Sequence, residues 1–487
     1  MAEQSKKVVV IGGGTGGYVA ALRAAQLGAA VVLVEKNALG GTCLNRGCIP
    51  TKVLLHTAEL ASAVREGESV GLFVKGARVD WKVLMQRKAE IVARLVEGVG
   101  FLLGANGVEV VRGNAVFRSP KEIVVTQEDG AVRSLSADAF IVATGSVPAL
   151  PPVPGFDLPG ILTSDGALEL DALPESILLV GGGVIGVEFA SVFSALGVKV
   201  TVVEMLPEIL PNMDVELVEY LRQILEARGI RILTSATVKA VRLTENGYAT
   251  VVATDAEEEI VTEKVFVCTG RRPFTQGLGL EEIGVRTERG RVAVDERMRT
   301  SVPGIYAIGD CASPIMLAHV ASTEGEVAAE VIMGHKAAMD YRCVPSGVYT
   351  APELAGVGPT EVELAKSGRP FTVGRFPMNS NAKALIAGMP DGMVKVLADK
   401  ETGEILGMHL LGPRATDLIV EGTLAMKSEL TVDEIVATIH AHPTLGETVK
   451  EASLDVLNRA LHLPQSVFQI VNRQRAVAVE TDQIMTV

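Results

Sequence analysis

Hydrophobic positions near the N-terminus fall into short unbroken runs separated by glycine-rich or more polar stretches. Residues 7–11, Lys-Val-Val-Val-Ile, form the first run and predict a buried strand. A glycine-rich turn at residues 12–17 follows, then a stretch from Tyr18 to Leu27 that we predict to be helical, then a second apolar run at residues 30–34. Strand, turn, helix and strand in this order are typical of an α/β domain built on a parallel sheet.

The turn after the first strand has the spacing of a dinucleotide fingerprint. Gly12, Gly14 and Gly17 fit the pattern GxGxxG. Such glycines let the backbone approach a pyrophosphate, and the helix N-terminus offers it unpaired N–H groups and the positive end of a dipole. Glu35 ends the second strand, where this fold places an acid that binds a ribose hydroxyl. One such match is weak evidence, because ordinary glycine turns also produce it.

The same design occurs a second time. An apolar run at residues 177–180 precedes a second glycine turn, and a later run ends at a second acid, at the same interval from the first glycine as before. The residues of this second fingerprint are Gly181, Gly183, Gly186 and Glu204. Each half then closes with an apolar run that ends in Thr-Gly, at residues 144–145 and 269–270, the form of a buried strand opening into a ligand-facing loop. The repeat predicts two nucleotide sites that exchange electrons.

Composition and charge exclude several classes of protein. The chain has 487 residues, 48% of them hydrophobic, which is enough for several domains. A net charge of −13, without a long lysine or arginine run, argues against nucleic-acid binding. The apolar runs are short and interrupted, so no membrane insertion is predicted. Because the N-terminal residues lead directly into the first strand, no signal peptide is predicted either.

Two of the five cysteines, Cys43 and Cys48, follow the first fingerprint closely. A disulfide accepts two electrons, and flavins and nicotinamides also exchange electrons in pairs, so a dithiol beside a nucleotide fold indicates redox chemistry. The alternative is a pair of unrelated buried cysteines. Five cysteines in so long a chain do not make a structural framework, so we predict a cytoplasmic protein with a catalytic pair. We interpret Cys268, Cys311 and Cys343 as packing residues.

Four sequence features together resemble one family. They are Gly-Gly-Thr-Cys-Leu-Asn-Arg-Gly-Cys-Ile-Pro-Thr-Lys at residues 40–52, the two fingerprints, Ile-Tyr-Ala-Ile-Gly-Asp at residues 305–310, and His-Ala-His-Pro-Thr at residues 440–444. Over nearly the whole chain they resemble the pyridine nucleotide-disulfide oxidoreductases and, within them, the dihydrolipoyl dehydrogenases. The resemblance implies one tightly but non-covalently bound FAD per subunit, NAD as co-substrate, and a homodimer.

The resemblance also implies the fold class, which is α/β with two Rossmann-like dinucleotide-binding domains, a central domain and an α+β C-terminal dimerisation domain. We place the FAD-binding domain at residues 1–148, the NAD-binding domain at 149–270, the central domain at 271–345 and the dimerisation domain at 346–487. Residues from about 464 extend beyond the family's typical end and are predicted to form an extra strand or a partner contact.

The resemblance assigns the sulfur chemistry to four residues. Cys43 is similar to the thiol that exchanges with the substrate, and Cys48 to the flavin-side thiol, whose thiolate is favoured at the start of a predicted helix. His442 is similar to the base that takes the substrate proton, and Glu447 to the acid that orients it. A capping box between Thr444 and Glu447 is an alternative explanation for Glu447.

Other residues are implied to surround the cofactors. Lys52 and Glu188 are similar to an ion pair beside the flavin, although two charges on solvated helix faces are the alternative. Asp310 is similar to the acid that binds the flavin's ribityl chain, with Gly309 allowing the backbone to come close. The ligand-facing loops contribute Thr144, Gly145 and Gly270.

The remaining histidines form no cluster with ligand spacing, so no metal site is predicted. His440 is interpreted as a supporting or core histidine and not as a catalytic one. Glu204 would accept a hydrogen bond from a ribose 2′-hydroxyl and repel a 2′-phosphate, and no arginine follows it before Arg222. NAD is therefore favoured over NADP.

Two other hypotheses stay open. A related NAD(P)H-dependent disulfide or mercuric reductase would share the cysteine pair, but the basic NADP pocket and the C-terminal vicinal cysteines of such enzymes are missing here. The chain could also be an interaction subunit whose redox site is vestigial. Because no lipoyl domain precedes Val8, the expected partner is a lipoyl-bearing protein of a 2-oxo acid dehydrogenase complex or of a glycine cleavage system.

Overall fold

The first glycine turn connects a strand to a helix in the computed structural model, which describes residues 5–464. Strand β1 (Lys7–Ile11) leads into helix α1 (Thr15–Gln26) and then into the parallel strand β2 (Ala30–Glu35). The helix begins three residues before the predicted start, because Gly14 is its N-cap and the last glycines of the fingerprint are helical. The predicted strand–turn–helix–strand order is confirmed.

The first sheet has the strand order β19-β7-β1-β2-β3, and a separate antiparallel sheet contains β4, β5 and β6. Valines 8 and 10 pack on one face of the first sheet, while Val9 and Ile11 pack on the other. Both faces are covered, which explains why the run is apolar at successive positions instead of alternating. The remaining elements up to residue 148 are α2 (Gly41–Arg46), α3 (Cys48–Glu66), α4 (Trp81–Ala105), β3 (Glu109–Arg112), β4 (Asn114–Ser119), β5 (Glu122–Thr126), β6 (Val132–Ser136), β7 (Ala139–Val142) and β8 (Ser146–Pro148).

The second fingerprint stands in a second parallel sheet with the order β11-β10-β9-β15. Its glycine turn connects β9 to α6, as the first turn connects β1 to α1. The elements are α5 (Ser164–Ala167), β9 (Ser176–Val180), α6 (Val184–Ala195), β10 (Lys199–Val203), α7 (Val215–Ala227), β11 (Arg231–Leu233), β12 (Thr237–Thr244), β13 (Gly247–Ala253), β14 (Glu257–Thr262), β15 (Lys264–Val267) and β16 (Arg271–Pro273).

Strand β16 pairs antiparallel with β8, so the two segments that follow the Thr-Gly loops lie side by side. After them come β17 (Thr287–Glu288), β18 (Arg291–Val292), β19 (Ile305–Ala307) and α8 (Ala318–Ile332). Strand β19 pairs with β7 at the edge of the first sheet. Part of the segment that we predicted as the central domain therefore belongs to the sheet of the first glycine turn.

The described residues form two units, and unit 1 contains everything above except residues 211–224. Unit 2 consists of residues 211–224 and the chain from Arg342 onward. Its antiparallel sheet has the order β20-β21-β24-β23-β22. The elements are β20 (Ser346–Val348), β21 (Glu353–Val357), α9 (Glu361–Ser367), β22 (Phe371–Pro377), α10 (Ala382–Ile386), β23 (Met393–Asp399), β24 (Ile405–Gly412), α11 (Ala415–Lys427), α12 (Val432–Ala437) and α13 (Glu447–Val456).

A buried cation lies within unit 2. The Lys395 ammonium is 2.9 Å from both carboxylate oxygens of Asp214 and also contacts Glu216 and Glu361. Its side chain is 1% exposed, and that of Asp214 is completely buried. Arg375 bonds the same two glutamates at the edge of the cluster. Such a network holds its residues in one arrangement, because removing one partner would leave buried charge unpaired.

The predicted domain boundaries remain predictions. The tail that we predicted from about residue 464 lies outside the described residues. Within residues 5–464, no helix combines the length and hydropathy needed to cross a bilayer.

Candidate active site

In the first glycine turn, two glycines have no room for a side chain and one has open space beside it. A Cβ on Gly12 would lie 2.3 Å from the Ala143 carbonyl oxygen, and one on Gly17 would lie 1.9 Å from the Gly12 oxygen. A Cβ on Gly14 would meet nothing closer than 3.9 Å. The open space at Gly14 lies at the N-cap of α1, which suits the close approach of a pyrophosphate.

The second turn repeats this division. A Cβ on Gly186 would lie 2.0 Å from the Gly181 oxygen, and one on Gly181 would lie 2.7 Å from the Cys268 oxygen. A Cβ on Gly183, the N-cap of α6, would have no neighbour within 4 Å. In both halves the first and third glycines are needed for packing, while the middle one leaves room for a ligand.

The two acids that end the second strands are tied to the glycine turns. Glu35 accepts a hydrogen bond from the Gly13 N–H at 2.7 Å and another from the backbone N–H two residues after Glu35 at 2.6 Å. Glu204 accepts the equivalent bonds from the Gly182 N–H at 2.6 Å and from the backbone N–H two residues after Glu204 at 2.8 Å. The sequence did not indicate these contacts. Each carboxylate oxygen has a second lone pair, so the predicted ribose contact stays compatible with them.

The two cysteines lie in adjacent helices. Cys43 is in α2, and Cys48 is the first residue of α3, with Gly47 between the helices. The Cys43 side chain is hydrogen-bonded to Cys48, and that bond lowers the pKa of Cys48 to about 7 against the opposing effect of burial. The positive charge of Lys52 also lowers it. The same bond and burial raise the pKa of Cys43. In this dithiol, Cys48 is therefore the more acidic of the two thiols.

Lys52 and Glu188 form an ion pair beside the cysteines. The ammonium lies 2.9 and 2.8 Å from the two carboxylate oxygens. Glu188 is almost entirely buried in α6, while the Lys52 side chain is partly exposed one turn after Cys48 in α3. Sequence alone left two solvated charges as an alternative. The structure instead pairs them, which connects the helix of the cysteines to the helix of the second glycine turn.

Arg271 joins the predicted site although sequence analysis did not single it out. Its Nε donates to the Ser146 hydroxyl at 2.7 Å, and Ser146 in turn contacts the Asp310 carboxylate. A second nitrogen of Arg271 lies 3.4 Å from the hydroxyl of Thr42, the neighbour of Cys43. Burial lowers the pKa of Arg271, while Asp310 favours its charged form. Pairing of β8 with β16 creates this contact, and no local motif signals it.

The Gly309 turn is held from inside the protein. Its N–H donates to the carboxylate of Glu324 at 2.6 Å, and the Tyr341 hydroxyl donates to the other oxygen at 2.6 Å. Burial raises the pKa of Glu324, although these donors oppose the effect. Gly309 has φ of +65°, which favours glycine. Sequence analysis missed Glu324 because a buried glutamate in a helix has no distinctive spacing.

The loops after β7 and β15 are also glycine turns. Thr144 donates its hydroxyl to the Phe274 oxygen at 2.6 Å, and Gly145 has φ of +71°. Gly270, the counterpart in the second half, has φ of +119°. A Cβ on either glycine would have no neighbour within 4 Å, so both turns are open on that side.

His442 and Glu447 lie together in unit 2. Nδ1 of His442 is 2.9 Å from one oxygen of Glu447, whose other oxygen accepts the Thr444 N–H at 2.9 Å. Burial raises the pKa of Glu447, but these two bonds outweigh it and leave the pKa below its ordinary value. The Thr444 hydroxyl donates to the Ala441 oxygen and does not cap the helix. Of the two bonds in the capping box that we weighed as an alternative, only the one from the Thr444 N–H to Glu447 is therefore present. Helix α13 ends at Val456.

The other cysteines have different surroundings. Cys268 and Cys311 are buried, and burial raises the pKa of both thiols. Cys343 is partly exposed. Within residues 5–464, no three His, Cys, Asp or Glu side chains are grouped so that they could hold a metal ion.

Known proteins of one family are similar to this chain over nearly its whole length. The family described as pyridine nucleotide-disulphide oxidoreductase matches residues 6–325, and its dimerisation domain matches residues 344–453. Dihydrolipoyl dehydrogenase of Thermus scotoductus is 44% identical over 462 residues, covering 94% of this chain and 98% of that protein. The enzyme of the same name from Bacillus subtilis is 41% identical, covering 93% of this chain and 98% of that protein.

Solved structures of two proteins are also similar to nearly the whole chain. The crystal structure of LpdA from Mycobacterium tuberculosis superposes with a TM-score of 0.86 at 30% identity, covering 92% of this chain and 99% of that one. The flavoprotein disulfide reductase RclA of Escherichia coli, solved as a Cu(II) complex, has a TM-score of 0.83 at 29% identity, covering 93% of this chain and 99% of that one.

Proposed function

Since this chain belongs to the pyridine nucleotide-disulphide oxidoreductase family, we propose that it is an NAD-dependent dihydrolipoyl dehydrogenase. It is a flavoprotein that oxidises protein-bound dihydrolipoamide to lipoamide and reduces NAD to NADH. The observation that carries the proposal is the asymmetric pair Cys43 and Cys48, held beside the Lys52–Glu188 ion pair and two open glycine turns.

The unequal acidity of the two thiols suits the sulfur exchange. In the oxidised protein, a substrate thiolate attacks the sulfur of Cys43, the Cys43–Cys48 bond breaks, and Cys48 leaves as a thiolate. A leaving thiol of low pKa departs faster, and the positive charge of Lys52, which lowers the pKa of Cys48, does not depend on the oxidation state of Cys43. The second substrate thiol then displaces Cys43, which releases lipoamide and leaves the dithiol. Two electrons have passed from the substrate to the cysteine pair.

Residues of unit 1 fit both nucleotides. Gly12, Gly14, Gly17 and Glu35, with the Gly309–Asp310 turn, would hold FAD, because the open space at Gly14 adjoins the helix N-terminus. The residues that would hold NAD are Gly181, Gly183, Gly186 and Glu204. FAD held by the first of these two sets of residues would supply the two-electron chemistry that connects the dithiol to NAD. Beside the residues that would hold FAD, the Ser146 hydroxyl donates a hydrogen bond to the Asp310 carboxylate.

Proton transfer is assigned to His442. Its Nδ1 hydrogen is engaged by Glu447 at 2.9 Å, which leaves Nε2 with a free lone pair on an exposed ring. A histidine oriented in this way accepts the proton of a substrate thiol and favours the thiolate that attacks Cys43. Glu447 acts through His442 by selecting this tautomer.

We also assign a homodimer, because residues 344–453 match a dimerisation domain. The electron donor is a lipoyl-bearing protein of a 2-oxo acid dehydrogenase complex or of a glycine cleavage system. A cytoplasmic location is proposed from the cysteine content, which includes a redox pair but no structural disulfide framework.

A steady-state assay with dihydrolipoamide or glutathione, each with NAD or NADP, tests the proposal. We expect turnover with dihydrolipoamide and NAD, and at least about tenfold less with NADP, because Glu204 repels a 2′-phosphate. Preference for glutathione and NADP would overturn both assignments. A C48S variant should keep its yellow flavin and lose dihydrolipoamide oxidation, whereas the control variant C343S should keep both.

A further variant tests the role of His442 as the base. His442→Ala should lower dihydrolipoamide turnover by about a hundredfold or more, the usual size of a lost acid–base group. Turnover near that of the unmodified protein would remove His442 from the mechanism.

A further inference from the structure

His440 lies two residues before His442 and is held at both ring nitrogens. Its Nδ1 is 3.1 Å from the Thr438 carbonyl oxygen, and its Nε2 is 2.9 Å from a carboxylate oxygen of Glu421 in α11. Its side chain is 9% exposed, compared with 72% for His442. The sequence singled out this histidine, but the proposed chemistry does not use it.

The hydrogen-bond roles at His440 follow from its two partners. A carbonyl oxygen only accepts, and an ionised carboxylate only accepts. Each contact is therefore a hydrogen bond when the ring nitrogen on that side donates. A hydrogen bond to an ionised carboxylate is stronger than one between neutral groups.

The Thr438 carbonyl is a shared anchor. Besides His440, it accepts a hydrogen bond from the Lys450 ammonium in α13 at 3.0 Å. Glu421 from α11 thus bonds His440 directly, and Lys450 from α13 bonds the carbonyl that His440 also contacts. The segment from 438 to 446, which carries His442, is tied through them to two helices.

The far end of this segment also lies near His440. A Cβ on Gly446 would lie 3.5 Å from the His440 ring, so the backbone just before Glu447 passes close to that ring. His440 is therefore bonded to the chain before His442 and lies near the start of the helix that carries Glu447.

We propose that His440 and Glu421 are positioning residues that hold the loop on which His442 and Glu447 meet. The inference rests on the proposed function, since it gives His442 the role of base. His440 does not touch the substrate and acts only through the placement of His442.

Three variants separate the two contacts. His440→Asn retains a donor toward Thr438 but does not reach Glu421, His440→Gln retains a donor toward Glu421 only, and Glu421→Gln removes the carboxylate charge. His335→Gln is a control, because His335 also pairs with a glutamate, at 2.6 Å, but belongs to unit 1 and not to the loop that carries His442.

Each variant is assayed for dihydrolipoamide oxidation and for NADH oxidation by ferricyanide, which takes electrons without thiol chemistry. We expect kcat for dihydrolipoamide to fall about tenfold or more, as for a displaced catalytic group. KM, ferricyanide turnover and the control should change less than about twofold. In the His442→Ala background, His440→Gln should cause no further loss, because residues that act as one unit are not additive.

Equal loss of both activities, no loss at all, or an independent tenfold loss in the His442→Ala background would overturn the inference. A protein that oxidises NADH with ferricyanide but never uses dihydrolipoamide would overturn the proposed function instead. The inference is then decided by a crystal structure of His440→Gln. We expect the contact between His442 and Glu447, 2.9 Å here, to lengthen beyond 3.5 Å, and an unchanged contact would refute the positioning role.

Discussion

Replacing Cys43 should change the acidity of Cys48 more than any other single substitution in the site. The hydrogen bond from Cys43 is the largest influence that lowers the pKa of Cys48, ahead of the charge of Lys52, and burial opposes both. Cys43→Ala removes the donor. Cys43→Ser keeps a hydroxyl that can donate to the same thiolate. Because both variants have a single cysteine of the pair, no disulfide complicates the comparison.

The expected loss of Cys48 reactivity follows from its pKa values with and without the hydrogen bond. With a pKa of about 7, about half of Cys48 is thiolate at pH 7, whereas with the ordinary value of 9.0 only about one in a hundred is. A lowered pKa means that thiolate reactivity is present above pH 7 and is lost as the pH falls through 7. In Cys43→Ala the midpoint should move upward by about two units, and the rate at pH 7 should fall by up to about fiftyfold.

Alkylation by iodoacetamide between pH 5 and 10, with the modified Cys48 peptide quantified by mass spectrometry, measures the midpoint. Cys268 and Cys311 do not interfere, because burial raises the pKa of both. Cys43→Ser should titrate near pH 7 and Cys43→Ala near pH 9. If the two variants titrate at the same pH, the hydrogen bond from Cys43 is not the cause of the low pKa of Cys48, and this explanation of its acidity is refuted.

Three further predictions concern cofactor fit and stability. Gly14→Ala should fold normally but bind much less FAD, read from the 450 nm absorbance, whereas Gly17→Ala should unfold at a lower temperature because its Cβ has no room. Lys395→Met should cost about 3–5 kcal/mol in denaturant unfolding, since it leaves buried carboxylates unpaired. Burial raises the pKa of Asp455 to about 6, so stability should fall as the pH rises from 4 to 6, and Asp455→Asn should abolish that dependence and stabilise the protein at pH 7 by about 1–3 kcal/mol.

Local sequence patterns were sufficient to predict the parts of the site whose residues are close together in the chain. An apolar run, glycines at fixed spacing and a terminal acid lie within about thirty residues, because a strand, a tight turn and a helix are consecutive in the chain. The same holds for Cys43 and Cys48, which are separated only by the last residues of α2 and by Gly47. The two halves and the fold class were therefore predictable, and the family comparison confirms them.

Tertiary structure decided every contact between groups that are distant in sequence. Arg271 reaches Ser146 because two short strands pair, and Glu188 meets Lys52 because two helices pack. The Lys395 cluster likewise collects carboxylates from separate segments. A single charged residue has no periodicity that identifies its partner, since its pairing depends on where the chain returns after many residues. For the same reason the sequence located His440 but not Glu421, the partner that lies 2.9 Å from its ring.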